Sequence, residues 1–174
     1  MRVHARSLDD EDLAAMRELL FSEGPNDWNY LTEESVNIQI ELIRKGKATA
    51  VVVEDDSILG FAVLIFGDAC PEKLNKYANL EQLAYINDVV VSHRLAGKGY
   101  GTKLLLESVA LARANGYSSV YIERHEENAA SAGMMKKAGF ELVETVHDPD
   151  KRFTGSRNTS VLVKHRKGSA AAPD

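Results

Sequence analysis

The sequence predicts an α/β (α+β) domain, and three observations carry that prediction. Short β-branched, apolar runs alternate with stretches whose apolar residues recur every three or four positions, the two periodicities that separate strands from helices. In chain order they read β-α-α-β-β-β-α-β-α-β-β. One run, Ala84-Tyr-Ile-Asn-Asp-Val-Val-Val91, leads into glycines at alternate positions, Gly97, Gly99 and Gly101, and these lead straight into a helical pattern. The 174 residues are 44% hydrophobic and 27% charged, a globular composition of a length that suits one core.

Arg2 to Arg6 alternates as a first strand. Ser7-Leu-Asp-Asp10 offers a capping-box start for a helix to about Phe21, with Leu13, Met16, Leu19 and Leu20 as its stripe. Gly24 to Tyr30 is a loop in which Trp28 and Tyr30 sit beside turn residues. They are candidate substrate-binding residues, with packing of the rings onto the core as the alternative. Thr32 caps a second helix, with Val36, Ile40 and Ile43 on one face and Gly46 at its end. Ala48 to Glu54 and Ile58 to Phe66 form a hairpin around Asp55-Asp-Ser57.

Residues 67–80 are polar and irregular, a second candidate binding loop, and Cys70 within it reads as a plain thiol rather than an acyl carrier. After the central strand, Gly101 to Ala114 is helical, with Leu105, Val109 and Ala112 on one face, and Ser118 to Glu123 is a strand. Asn128 to Ala138 is a helix stopped by Gly139, and Phe140 to Val146 with Ser160 to Lys164 makes a last hairpin. Residues 1–166 are expected to form a single domain and 167–174 a disordered tail.

Net charge is −5, unevenly spread: residues 1–81 hold 16 acidic and 8 basic side chains, residues 82–174 hold 10 and 13. The distribution disfavours nucleic-acid binding and suits a cationic partner. No apolar run approaches the ~20 residues of a membrane span, and the first residues lack a signal-peptide core. The single cysteine fits a reducing cytoplasm, and the scattered histidines suggest no metal site.

A strand feeding a glycine-rich turn and a helix N-terminus gathers free backbone N–H groups on one side. Gly97, Lys98, Gly99, Tyr100, Gly101 and Thr102 therefore read as a diphosphate cradle. A mere hinge is the bland alternative. A Walker A loop fails for want of Gly-Lys-Ser/Thr at the right spacing, and a dinucleotide fingerprint would need glycine at Thr102.

What remains resembles the acetyl-CoA loop of the GNAT superfamily of N-acetyltransferases, Arg/Gln-x-x-Gly-x-Gly/Ala after a strand ending in Val. Asn128-Ala-Ala-Ser131-Ala-Gly-Met-Met135-Lys-Lys137-Ala-Gly139-Phe140 is similar to that family's Asn-x-x-Ala/Ser-x-x-x-Tyr-x-Lys-x-Gly-Phe helix. Together the motifs cover about Ala84 to Val146. The resemblance implies a mixed, mostly antiparallel six- to seven-stranded sheet flanked by about four helices, with splayed central strands that admit the cosubstrate acetyl-CoA. It implies that Asp88 to Val91, including Val89, Val90 and Val91, pair with pantetheine, that a backbone N–H near Val89 contacts the oxyanion, and that Asn128 binds pantetheine or holds the adjacent loop.

Three positions depart from the family pattern. Ala96 stands where Arg or Gln is usual, with Arg94 as a second register; Asn87 stands where many relatives carry a glutamate base; and Met135 replaces the tyrosine that protonates the leaving thiolate. Glu81, Asp88 and Tyr85 are candidate bases, Asn87 a water- or acceptor-orienting group, and Ser131 a candidate partner of the sulfur. Asp88 is expected on the sheet face opposite Asn87 unless the strand bulges there.

The resemblance thus implies an acetyl-CoA-dependent N-acetyltransferase, and transfer to a small-molecule primary amine by direct attack in a ternary complex is the favoured reading. A protein lysine or N-terminal acetyltransferase, and an acyl-CoA-binding module with little catalysis, are the alternatives. A closed acidic pocket built by residues 22–32 and 67–80 would favour the small molecule. Neither nucleic acid nor membrane is expected as a partner, and a homodimer is admissible.

Overall fold

A computed structural model of the protein describes residues 1–165. Seven strands form one sheet: β1 (Arg2–Ala5), β2 (Ala48–Glu54), β3 (Ile58–Phe66), β4 (Leu83–Val91), β5 (Ser119–His125), β6 (Glu141–His147) and β7 (Asn158–His165). Their spatial order is β1-β2-β3-β4-β5-β7-β6. Every neighbouring pair is antiparallel except β4 and β5, as the resemblance implied. Four helices flank the sheet: α1 (Asp10–Glu23), α2 (Glu33–Arg44), α3 (Tyr100–Ala114) and α4 (Ala129–Lys137). Residues 67–80 fold into short 3₁₀ turns. The tail expected over 167–174 lies outside the described residues.

Period-two alternation gives the sheet two apolar faces, and each is covered by a pair of helices. Val52, Phe61, Val63, Tyr85 and Tyr121 pack with Leu13, Met16 and Leu20 of α1 and Val36 and Ile40 of α2. Val51, Ala62, Leu64, Ile86 and Ile122 pack on the other face with Leu104, Leu105 and Val109 of α3 and Met135 of α4. The caps follow the local chemistry. Thr32 and Ser35 form a reciprocal capping box at α2. At α1 the cap is Asp9 with Asp12 rather than Ser7, because the helix starts at Asp10.

Two irregularities in β4 position the site. Its parallel pairing with β5 runs only from Leu83–Ser119 to Ile86–Ile122, after which the strands diverge. Against β3 the register shifts, so that Val63 faces Asp88 while Leu64 faces Ile86. Asn87 is the extra residue of a β-bulge. Cross-strand partners share a face, so Asp88 lies with Val63 on the α1/α2 side, the side Asn87 also takes.

Candidate active site

The β4–α3 turn begins with a 3₁₀ turn over His93–Leu95, then Gly97 and Gly99 at φ 75° and 79°. Those angles strain any residue with a Cβ, which is why the turn needs glycine there. The first helical bond of α3 runs from Lys103 N–H to the Gly99 carbonyl at 3.2 Å. The amides of Tyr100, Gly101 and Thr102 therefore precede the ladder, and no side chain caps them. Gly101 has a different reason to be small: a Cβ there would stand 2.5 Å from Met134 Sδ, so it leaves room for the Met134 side chain from α4. Arg94, Ala96 and Lys98 are all exposed around this turn. Glu23 at the end of α1 steadies it, accepting from the His93 N–H at 2.9 Å and meeting His93 Nδ1 at 2.7 Å.

A groove runs along β4. Its outer part is lined by Val89, Val90 and Val91 on one side and Ala130, Ser131 and Met134 of α4 on the other. It continues into the gap between the diverging strands, where Asn87, Asp88, Val89, Arg124, Asn128, Ser131 and Met135 meet. Asn128 caps α4, its Oδ1 accepting the Ser131 N–H at 3.1 Å. Ser131 is half-buried, and Met135 is buried one turn later on the same helix.

Beyond the gap opens a cleft of about 330 Å³ on the α2 side of the sheet. Tyr85, Asn87, Asp88 and Glu123 rise from the sheet, residues 29–32 and Ser35 form one wall, and residues 150–153 form the other. The two loops are tied together. Thr154 Oγ1 donates to the Asp27 carbonyl at 2.6 Å, and the Tyr30 and Phe153 rings meet edge-on at 5.3 Å. Asn29 borders the groove, the gap and the cleft, so the three are continuous.

Asp88 stands where gap and cleft join. Its Oδ2 accepts Gln39 Nε2–H at 2.8 Å, while Gln39 Oε1 accepts Asn87 Nδ2–H at 2.9 Å. Burial pushes the Asp88 carboxyl up to about 6, with Gln39 and the charge of Lys151 opposing that rise. Neighbouring Glu123 behaves differently. It too loses solvation, but Lys151 and Lys73, at 2.9 and 2.8 Å, hold it below the usual carboxylate range. The Tyr85 hydroxyl, 3.4 Å from Glu123 Oε1, is buried and pushed well above the usual phenol range.

The sequence-based candidates are only partly gathered. Asn87, Asp88, Val89, Asn128, Ser131 and Tyr30 border the continuous channel, whereas Glu81 is exposed on the turn before β4 and lines none of it. Trp28 packs on His125, ring centroids 4.9 Å apart, and so pins the loop instead of lining the cleft. The expected wall from residues 67–80 is replaced by residues 150–153, while Lys73 reaches Glu123 from behind. Cys70 is buried, and desolvation first, with Asp68 second, raises its thiol to about 12, which unsuits it as an acyl carrier. Gln39, Glu123 and Arg152 went unforeseen. Only Gln39 left a signal, a polar residue inside the apolar stripe of α2.

The family model for the acetyltransferase (GNAT) family matches residues 13–140. Among solved structures, the chain is similar to the aminoglycoside acetyltransferase AAC(6')-Ib in complex with coenzyme A, at 21% identity and TM-score 0.73 over 95% of this chain and 96% of that one. It is similar to the ribosomal-protein-alanine N-acetyltransferase of Brucella melitensis, at 21% identity and TM-score 0.72 over 93% and 99%. It is also similar to a Bacillus subtilis acetyltransferase in complex with CoA, at 18% identity and TM-score 0.68 over 95% and 98%. At such identities the likeness is one of fold. No protein of curated function matches the sequence.

Proposed function

We propose that this chain, which belongs to the acetyltransferase (GNAT) family, passes the acetyl group of acetyl-CoA to the primary amine of a small molecule by direct attack in a ternary complex. Asp88 carries the reading. It is a carboxylate with its pKa near 6, placed where a groove along β4 meets a walled cleft.

Acetyl-CoA binding falls to the amides of the Gly97–Thr102 turn for the diphosphate, with Lys98 nearby. The unpaired edge of β4 from Asp88 to Val91 serves pantetheine as an added strand would, and Asn128 borders the same path. A β4 amide near Val89 receives the thioester oxygen as it gains charge. Asp88 then takes the proton of the attacking amine. A free amine of pKa about 10.4 is neutral in only about 1 molecule in 2,500 at pH 7, a cost of roughly 4.6 kcal/mol. A base of pKa near 6 cannot strip that ammonium beforehand. It acts as the C–N bond forms, when the nitrogen becomes far more acidic. Gln39 and Asn87 orient Asp88 and its neighbours, and the thiolate departs towards Ser131 and Met135.

Asp88 supplies the base that Asn87 cannot, which speaks against a binding module without catalysis. The walls at residues 29–32 and 150–153 favour a small acceptor over a polypeptide. The test is thiol release from acetyl-CoA against polyamines, amino sugars, amino acids and peptides, beside calorimetric binding of CoA. Turnover of a small amine is expected. CoA binding with no turnover would leave the binding module, and preference for peptides would move the reading to protein acetylation.

A further inference from the structure

The acceptor cleft holds a charge that its chemistry leaves over. Arg152, on the loop between β6 and β7, lines the cleft and is only 4% exposed. A guanidinium keeps its charge even when desolvation lowers its pKa, as it does here against the opposing pull of the Glu123 and Asp148 carboxylates, so burial without a direct anionic contact is costly. Among the described residues no carboxylate lies within 4.0 Å of it. Its hydrogen bonds are Nε–H to Thr159 Oγ1 at 2.8 Å and a long contact of 3.5 Å from Nη1 to the Trp28 carbonyl. Asp148 is engaged by the Thr159 hydroxyl at 2.7 Å. Glu123, the other nearby acid, is already matched by two lysines.

Of the charged side chains that line the cleft, Lys151 and Glu123 pair with each other, while Asp88, Asp150 and Arg152 have no ion-pair partner among the described residues. Asp88 and Arg152 thus line one cleft of about 330 Å³, where a single small molecule can meet both. Resting on the acetyltransfer reading above, we infer that the acceptor is a short amine that also carries a carboxylate, with Arg152 holding the carboxylate while the amine lies at Asp88. A polycation would leave the guanidinium without an anionic partner. A carboxylate would complete its fork with charge-assisted hydrogen bonds.

Matched acceptors test this by thiol release at saturating acetyl-CoA: β-alanine and 4-aminobutanoate against propylamine and butylamine, with spermidine as the polycation. The carboxylated member of each pair should be favoured in kcat/KM by about 10- to 100-fold, chiefly through KM, the range for a charge-assisted pair in a buried site. Arg152→Gln should collapse that ratio to near unity, and Arg152→Lys, which keeps the charge but not the fork, should retain part of it. Plain amines or spermidine preferred by the unaltered enzyme would overturn the inference while sparing the transfer reading. So would a loss in Arg152→Gln that falls equally on both members of a pair, the mark of a purely structural arginine. Release of thiol with no amine at all would sink both. If Arg152→Gln fails to fold, the wild-type and Arg152→Lys ratios decide alone.

Discussion

Gln39 Nε2 donates to Asp88 Oδ2 at 2.8 Å, a bond between the middle of α2 and the bulge of β4. Gln39 is only 3% exposed, so the bond forms where water competes poorly. It favours the charged form of a carboxyl that burial pushes the other way. The first predictions follow from that opposition.

Asp88→Asn removes the proposed base while keeping the shape and an acceptor for Gln39. Turnover should fall by about 10²- to 10⁴-fold with CoA affinity unchanged. In the unaltered enzyme, kcat/KM should rise with pH through an apparent pKa of about 6, since only ionised Asp88 accepts the proton. Steady-state rates from pH 5 to 9 check both; full activity in Asp88→Asn would return the role to Tyr85 or to a water held by Asn87.

The same carboxyl costs stability. Its folded pKa of about 6 lies above the ordinary carboxylate value, so the folded state holds the proton more tightly. That contribution is fully present below about pH 4 and is lost as pH rises through 6. Asp88→Asn should therefore raise the melting temperature at pH 8, by at most about 3 kcal/mol in stability, and leave it nearly unchanged at pH 4. Equal shifts at both pH values would place the effect in packing instead.

Gln39→Met keeps the volume and deletes the bond. Asp88 then loses a group that favours its charged form, so the acidic limb of the rate profile should move up by about one unit. A lowered rate with an unmoved limb would mean that Gln39 only packs.

The two helix-start glycines should fail in different ways. Gly99→Ala puts a Cβ at φ 79° with open space around it, so it distorts the turn and should weaken the melting-temperature rise caused by acetyl-CoA. Gly101→Val drives a side chain into Met134 and should lower the melting temperature of the free protein as well. Differential scanning with and without acetyl-CoA separates the two.

Ser131 is the hydroxyl of α4 that borders both the groove and the gap. If it bonds the departing sulfur, Ser131→Ala should slow turnover by roughly 10- to 150-fold, the range for a hydrogen bond to a charged group. Unassisted departure predicts a change within about twofold, since a thiolate of pKa near 8.5 is a fair leaving group at pH 7 to 9. The absence of a tyrosine at Met135 makes unassisted departure the expected outcome.

The order of the seven strands and four helices was legible because it is written in short-range periodicity, and so was the turn at Gly97 to Thr102, whose positive-φ glycines answer to local sterics. The cap at Thr32 was legible for the same reason. What the sequence alone could not decide was the register of β4 on β3. Asn87 and Asp88 follow one another in a pattern that reads as ordinary alternation, and only pairing with Val63 and Leu64, more than twenty residues earlier, inserts the bulge that turns both to one face. The pKa of Asp88 likewise depends on burial beneath α2, and the cleft wall on a loop some 120 residues from the one it meets. Those properties arise from which distant segments touch, and no window along the chain contains them.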